Sequence, residues 1–148
     1  MSKEAVALSK YITPELQDRI AIGLKQLQNA AHINSADKGF WDNDVEIFQH
    51  LLTTRGPQLA DHHWKNVQLA KIALIHSELS EAVEGIRTGN GPSDKLHEHG
   101  LSQAEEEMSD AVVRILDLCG KMGWDFPRAI LLKMGYNTGR ARLHGKAL

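Results

Sequence analysis

The stretch His63–Arg87, HWKNVQLAKIALIHSELSEAVEGIR, decides how this chain folds. Advancing roughly 100° per residue from Ile75, the side chains of Ile72, Leu79, Ala82, Val83 and Ile86 gather between roughly −20° and +80°. So narrow a stripe predicts a long helix with one apolar face turned to a core. Glu78 and Glu81 fall at roughly −60° and −120°, along one edge of the stripe, and Lys71 lies at roughly −40°. Carboxylates bordering an apolar face are costly unless something neutralises them.

A second stretch repeats the arrangement. SQAEEEMSDAVVRILDLCGKMG opens at Ser102 with Glu105 in capping-box spacing, and Gly120 or Gly123 marks its end. With Asp110 at zero, Met108, Ala111, Val112, Ile115, Leu118 and Cys119 spread over roughly 80° to 200°. Glu107 sits at the border near roughly 60°, with Arg114 at roughly 40° and Asp117 at roughly −20°. Between the two stretches lies TGNGPSD, a turn with room for loop insertion. It permits an antiparallel return, so that Glu78, Glu81, Glu107 and Asp110 all face one cleft.

Three further helices complete an all-α bundle of about five, with the acidic cleft between the two antiparallel core helices. One opens at Thr13-Pro14, an N-cap followed by Pro, and runs to about Asn34 with Leu16, Ile20, Leu24 and Leu27 inward. A short one covers Val45 to Leu52 and stops near Gly56-Pro57. The last runs from Pro127 to about Leu143. The strand signal is weak, because β-branched and polar residues never alternate for long.

Composition narrows the function classes. At 148 residues, 42% hydrophobic and 24% charged, residues 1–148 read as one globular domain. A net charge of −2 offers no general attraction to nucleic acid or to anionic membrane, and neither is expected as a partner. No run is long enough to span a bilayer and the N-terminus lacks a secretory core, so a cytoplasmic setting is expected. The lone Cys119 has no intrachain partner and lies among apolar residues, which suits a reduced, buried thiol.

Four carboxylates brought together without cations raise one another's pKa, so the bare cluster is unfavourable. All-oxygen ligands suit Mg²⁺ or Mn²⁺, and Mg²⁺ commonly shares its coordination with substrate phosphates. A di-iron site is disfavoured because neither helix carries Glu-x-x-His. The chain has no G-x-x-x-x-G-K-[ST], which excludes a P-loop. His62-His63 and His97-Glu98-His99 fall in expected loops without zinc-type spacing and read as surface histidines; Trp64 and Trp124 read as packing residues at segment ends. Lys133, Asn137, Arg140 and His144 share one face of the last helix, followed by Lys146, and suit a polyphosphate. Phe40 and Trp41, in KGFWD, can stack a base.

Taken in order, ELSEA, EEEMSDAVVRILDLC, KMGYNTGR and HGK resemble the MazG-like all-α nucleoside triphosphate pyrophosphohydrolases, over roughly Ala30 to Lys146. The family's Glu-x-x-Glu and Glu-x-x-Asp signature falls on Glu78, Glu81, Glu107 and Asp110, which the resemblance implies are Mg²⁺ ligands. Its Lys-x-x-x-Asn-x-x-Arg element falls on Lys133, Asn137 and Arg140. The KGFWD segment resembles the one these proteins place near the nucleotide. The resemblance implies a homo-oligomer, dimer or tetramer, that converts an NTP or dNTP to the monophosphate and pyrophosphate. For that reaction one carboxylate must orient the attacking water or accept its proton, and Glu81 is the candidate. Small virus-encoded relatives that favour guanine dNTPs suggest a purine substrate. The competing readings are a dUTP, dCTP or phosphoribosyl-ATP hydrolase of similar fold, and a catalytically silent helical adaptor that binds nucleotides or a partner.

Overall fold

Local signals set where the helices of the computed structural model begin, and residues 11–141 are described. The elements are α1 (Pro14–Asp37), α2 (Asp42–Thr54), α3 (Pro57–Arg87), α4 (Gln103–Lys121) and α5 (Phe126–Thr138), an all-α bundle. Among the described residues there is no strand. Thr13 caps α1, its hydroxyl accepting the Leu16 N–H at 3.3 Å. Ser102 and Glu105 form the expected capping box at the start of α4, and Asp125 caps α5 by accepting the Arg128 N–H at 3.3 Å.

Several boundaries differ from expectation for identifiable reasons. Gly56-Pro57 ends one helix and also begins the next. Gly56 makes the turn with φ of 93°, and Pro57 takes the first-turn position where its missing N–H costs nothing. Helix α3 therefore starts before His63, and His62 and His63 are helical rather than loop residues. Helix α2 extends past Val45 to Asp42, with Asp42 and Asp44 in its first turn, where carboxylates favour a helix N-terminus. Helix α5 stops at Thr138, ahead of the expected Leu143, which lies outside the described residues. His97–His99 form a 3-10 turn in the α3–α4 connection.

The most extensive packing joins α3 to α4; α4 also packs on α1, α3 on α2, and α5 on α1. Helices α3 and α4 run antiparallel: Gln103, at the start of α4, lies against Gly85 near the end of α3, while Arg114 further along α4 reaches back to Glu78. The core gathers Trp41, Val67, Ile75, Ala111 and Leu118, with Val45, Trp64, Ile115 and Met122 packed against it. Gly120 lets α1 and α4 approach closely, since a Cβ there would stand 2.6 Å from the Cβ of His32.

Helix α3 is turned about its axis relative to the simple apolar-stripe expectation. Its buried residues Val67, Ile75, Glu78, Ala82 and Gly85 span about −80° to 0° on the same scale. The small Ala82 and Gly85 admit α4 closely, and Glu78 moves from the border into the contact. Ile72, Leu79, Val83 and Ile86 are left 40%, 40%, 55% and 63% exposed, so most of the expected core stripe faces outward and only Ile75 and Ala82 of it are buried. On α1, likewise, Leu16 and Leu27 are exposed while Gln28 and Ser35 are buried. Among the described residues no helix is long and apolar enough to cross a membrane.

Candidate metal centre and adjoining pocket

Rotation of α3 brings Glu78 opposite the start of α4. Glu78, Glu107 and Asp110 each present a carboxylate oxygen, and these oxygens lie within 4.8 Å of one another. Glu78 and Glu107 are buried and Asp110 is half-buried. Glu81, expected as the fourth member, lies exposed outside this compact group, although its charge still acts on Glu107. Burial chiefly, and then the charge of Glu81 and the closeness of Glu78, hold the Glu107 carboxyl above its ordinary pKa; Lys95 pulls it weakly the other way.

Two cations border the cluster. Arg114 Nε sits 2.7 Å from Glu78 Oε1, and Lys95 Nζ sits 3.6 Å from Asp110 Oδ2. Lys95 is shared with the buried Glu106, at 2.8 Å, so it does not serve the cluster alone. Glu107 Oε2 is buried with no hydrogen-bond partner. A buried, partnerless carboxylate oxygen among other carboxylates is expensive, and either a proton or a hard divalent cation would lower the cost. The oxygen-only donor set fits Mg²⁺ or Mn²⁺.

The cluster opens onto a cavity of about 310 Å³ walled by Phe40, Trp41, Leu74 and Val113, with Asp110 and Arg114 at its acidic end. Pockets for small organic ligands begin at roughly this size and are mainly apolar with a few polar groups. Trp41 is 2% exposed and belongs to the core, yet one part of it lines this cavity. Phe40 is 67% exposed at the rim. Lys71 does not reach the carboxylates: its ammonium donates to the Phe40 carbonyl at 3.0 Å, lies 3.6 Å from Asp44, and sits 4.3 Å above the Trp41 ring.

Asp117 fixes that wall, a role the sequence reading did not assign. Its carboxylate accepts the Trp41 indole N–H at 2.9 Å, the Ser35 hydroxyl at 2.7 Å and the His32 Nδ1 at 2.8 Å. The signal was present in the sequence: Asp117 shares an edge of its helix with Asp110 and Arg114 inside an otherwise apolar run, where an unpaired acid is unfavourable.

The basic C-terminal residues lie elsewhere. Lys133 and Arg140 gather around Tyr136, 4.9 Å and 5.9 Å from its ring, on a helix that packs against α1. Because α5 ends at Thr138, Arg140 stands past the helix rather than on a common face with Lys133 and Asn137. Asn137 lines a separate shallow pocket with Tyr11, Ile12 and Met134. Among the described residues no hydrogen bond or ion pair links these three side chains to the acidic cluster; His144 and Lys146 lie outside the described residues. His97 and His99 are exposed, as expected, and His63 makes a hydrogen bond with the Asp44 carbonyl at 3.1 Å. Trp64 packs against Trp41 and Phe48, whereas Trp124 is 47% exposed. Comparison of the chain with protein-family models, curated proteins and solved structures finds no match.

Proposed function

We propose that this chain is a divalent-metal-dependent nucleoside triphosphate pyrophosphohydrolase, which converts a (d)NTP to the monophosphate and pyrophosphate in the cytoplasm. The observation that carries the reading is the buried, partnerless Oε2 of Glu107 inside an all-oxygen group beside an aromatic-walled cavity. A phosphorylated ligand with a flat apolar end matches both halves of that site. The resemblance of ELSEA and EEEMSDA to the MazG-like signature supports the same chemistry, and suggests a purine, with guanine favoured.

In this reading Glu78, Glu107 and Asp110 hold Mg²⁺, with Mn²⁺ able to substitute. Bound divalent ions supply activation of water and neutralisation of phosphate charge. Glu81, exposed beside the group, orients the attacking water or takes its proton. Arg114 offers a fixed charge for phosphate where the cavity meets the cluster. Phe40 and Trp41 receive the base, and Lys71 braces the segment that carries them.

Lys133 and Arg140 gather around Tyr136 and Asn137 lines another pocket, so in this reading they serve the reaction from a second copy. Ile72, Val83 and Ile86 on α3, and Met108 and Val112 on α4, are large apolar side chains left uncovered. They support a homo-oligomer, a dimer or a dimer of dimers. Val83→Asp is expected to yield monomers in light scattering and to lower turnover with it.

The decisive test incubates the protein with each canonical NTP and dNTP, with and without Mg²⁺, and assays pyrophosphate against orthophosphate. Metal-dependent pyrophosphate is the expected product. Asp110→Asn and Glu81→Gln should each cut its release by about a hundredfold or more, with helicity intact. Orthophosphate would mean cleavage of a different bond, and neither product would return the chain to the adaptor reading.

A further inference from the structure

The α3–α4 connection, expected from its sequence to be a turn with room for insertion, carries a built contact. Ser93 is 1% exposed and Glu106 3% exposed, and the Ser93 hydroxyl donates to the Glu106 carboxylate. The same carboxylate accepts the Lys95 backbone N–H at 3.3 Å and pairs with the Lys95 ammonium at 2.8 Å. Ser93 Oγ in turn accepts the Leu96 N–H at 2.7 Å. A buried acid and a buried hydroxyl thus pin a short piece of a Gly-rich connection. A loop kept only for chain reversal has no need of such a pin, because unpaired exposed backbone is satisfied by water.

What the pin holds is Lys95. Its side chain is 69% exposed, and its ammonium stands 3.6 Å from Asp110 Oδ2 at the edge of the cluster. Glu106 is not among the clustered carboxylates, so the tether persists whatever binds at Glu78, Glu107 and Asp110. A divalent ion bonded to Asp110 brings a second positive charge close to that ammonium, and two cations so near are favourable only with an anion between them.

We propose that Lys95 is the resident counter-ion of the acidic cluster and, held by Glu106, becomes a contact for the phosphate chain when divalent ions enter. The inference rests on the pyrophosphohydrolase reading and assigns to the α3–α4 connection the phosphate charge that α5 does not supply within the chain. Lys95 therefore opposes metal binding in the absence of phosphate and favours phosphate binding in the presence of metal. Glu106 and Ser93 act through it as positioning residues.

Binding measurements test this without turnover. Mn²⁺ is titrated into the parent, Lys95→Met and Lys95→Arg, with free Mn²⁺ read by electron paramagnetic resonance; pyrophosphate is then titrated calorimetrically at saturating Mn²⁺. Lys95→Met is expected to bind Mn²⁺ about two- to fivefold more tightly, the size of a relieved exposed charge contact. It should bind pyrophosphate about tenfold more weakly, as loss of one charge-assisted contact requires. Lys95→Arg should stay close to the parent in both. Pyrophosphate affinity unchanged in Lys95→Met overturns the proposal while leaving the metal centre standing. A parent that binds no Mn²⁺ overturns the proposal and the underlying functional reading together.

Discussion

Helix α4 carries two carboxylate centres, at Glu107 and Asp117, roughly three turns apart, and they are built on opposite principles. Asp117 accepts from the Trp41 indole, the Ser35 hydroxyl and the His32 ring, each between 2.7 and 2.9 Å. Glu107 has an oxygen with no partner, and Glu78, Asp110 and Glu81 crowd around it. A carboxylate whose lone pairs are all used holds the fold together. One whose neighbours repel it spends stability, and in the proposed reading a metal ion offsets that cost. The three consecutive glutamates repeat the lesson at closer range: Glu105 closes the capping box, Glu106 pins the connecting loop, and Glu107 faces the cluster.

The largest effect that separates the two centres comes from removing each acid. Asp117→Ala strands three donors, two of them on the buried Trp41 and Ser35, at about 1–3 kcal/mol for each buried group left unpaired. Its melting temperature should fall by roughly 6–12 °C, taking about 3 kcal/mol in a chain of this size. Asp110→Ala should leave the melting temperature in metal-free buffer within a few degrees of the parent and remove Mn²⁺ binding instead. Equal thermal losses in the two variants would erase the distinction between a structural and a ligand-seeking carboxylate.

Close approach of α1 to α4 supplies the Asp117 centre with two of its donors, and Gly120 permits that approach. A methyl group there meets the Cβ of His32 at 2.6 Å, with the Gln28 carbonyl also near. Neither neighbour is the far end of a flexible chain, so the helices must separate. Gly120→Ala is expected to cost about 1–3 kcal/mol by overpacking, partly offset by the better helix propensity of Ala. The His32–Asp117 contact should loosen with it, readable as a changed His32 ring resonance in NMR. A variant as stable as the parent, with that resonance unmoved, would show that the Asp117 centre does not depend on the α1–α4 spacing.

The same two centres show what the sequence made legible. Helix starts were readable wherever a cap was chemically explicit, at Thr13-Pro14 and at Ser102 with Glu105. The side-by-side pairing of Glu107 and Asp110 on one helix followed from periodicity, and their meeting with Glu78 from the antiparallel return that the TGNGPSD turn permits. Two things were not readable. Periodicity located the apolar stripe of α3 but not which part of it packs, because Ala82 and Gly85 won the contact with α4 by size rather than by hydrophobicity. That choice buried Glu78 and left Glu81 outside. Long-range hydrogen bonds were also invisible: nothing local tells Asp117 that Ser35 and Trp41 will arrive from elements far away in sequence, or tells Glu106 that the loop before it folds back. The basic residues Lys133, Asn137 and Arg140 were visible as a pattern, but their distance from the cluster depends on where α5 docks, which their own spacing does not encode.

The smallest expected effect is also the one that most directly measures the cost of the cluster. Glu107 is held above its ordinary value of 4.5 by burial and by its acidic neighbours. A carboxyl raised in the folded state binds its proton more tightly folded than unfolded. The fold is therefore favoured below the ordinary value and loses that advantage as pH rises through the raised one. At pH 7 the ionised Glu107 thus works against the metal-free fold. Glu107→Gln, which keeps the shape and removes the charge, should raise the melting temperature in EDTA at pH 7. At pH 4, where the carboxyl is mostly protonated in both states, the difference between the two proteins should shrink. Saturating Mn²⁺ should reverse the order at pH 7, because the ion stabilises the parent by binding only its folded form while the variant has lost a ligand. A lower melting temperature for Glu107→Gln in EDTA at pH 7 would place Glu107 with Asp117, as a satisfied structural acid, and remove the physical basis for reading the cluster as a metal centre.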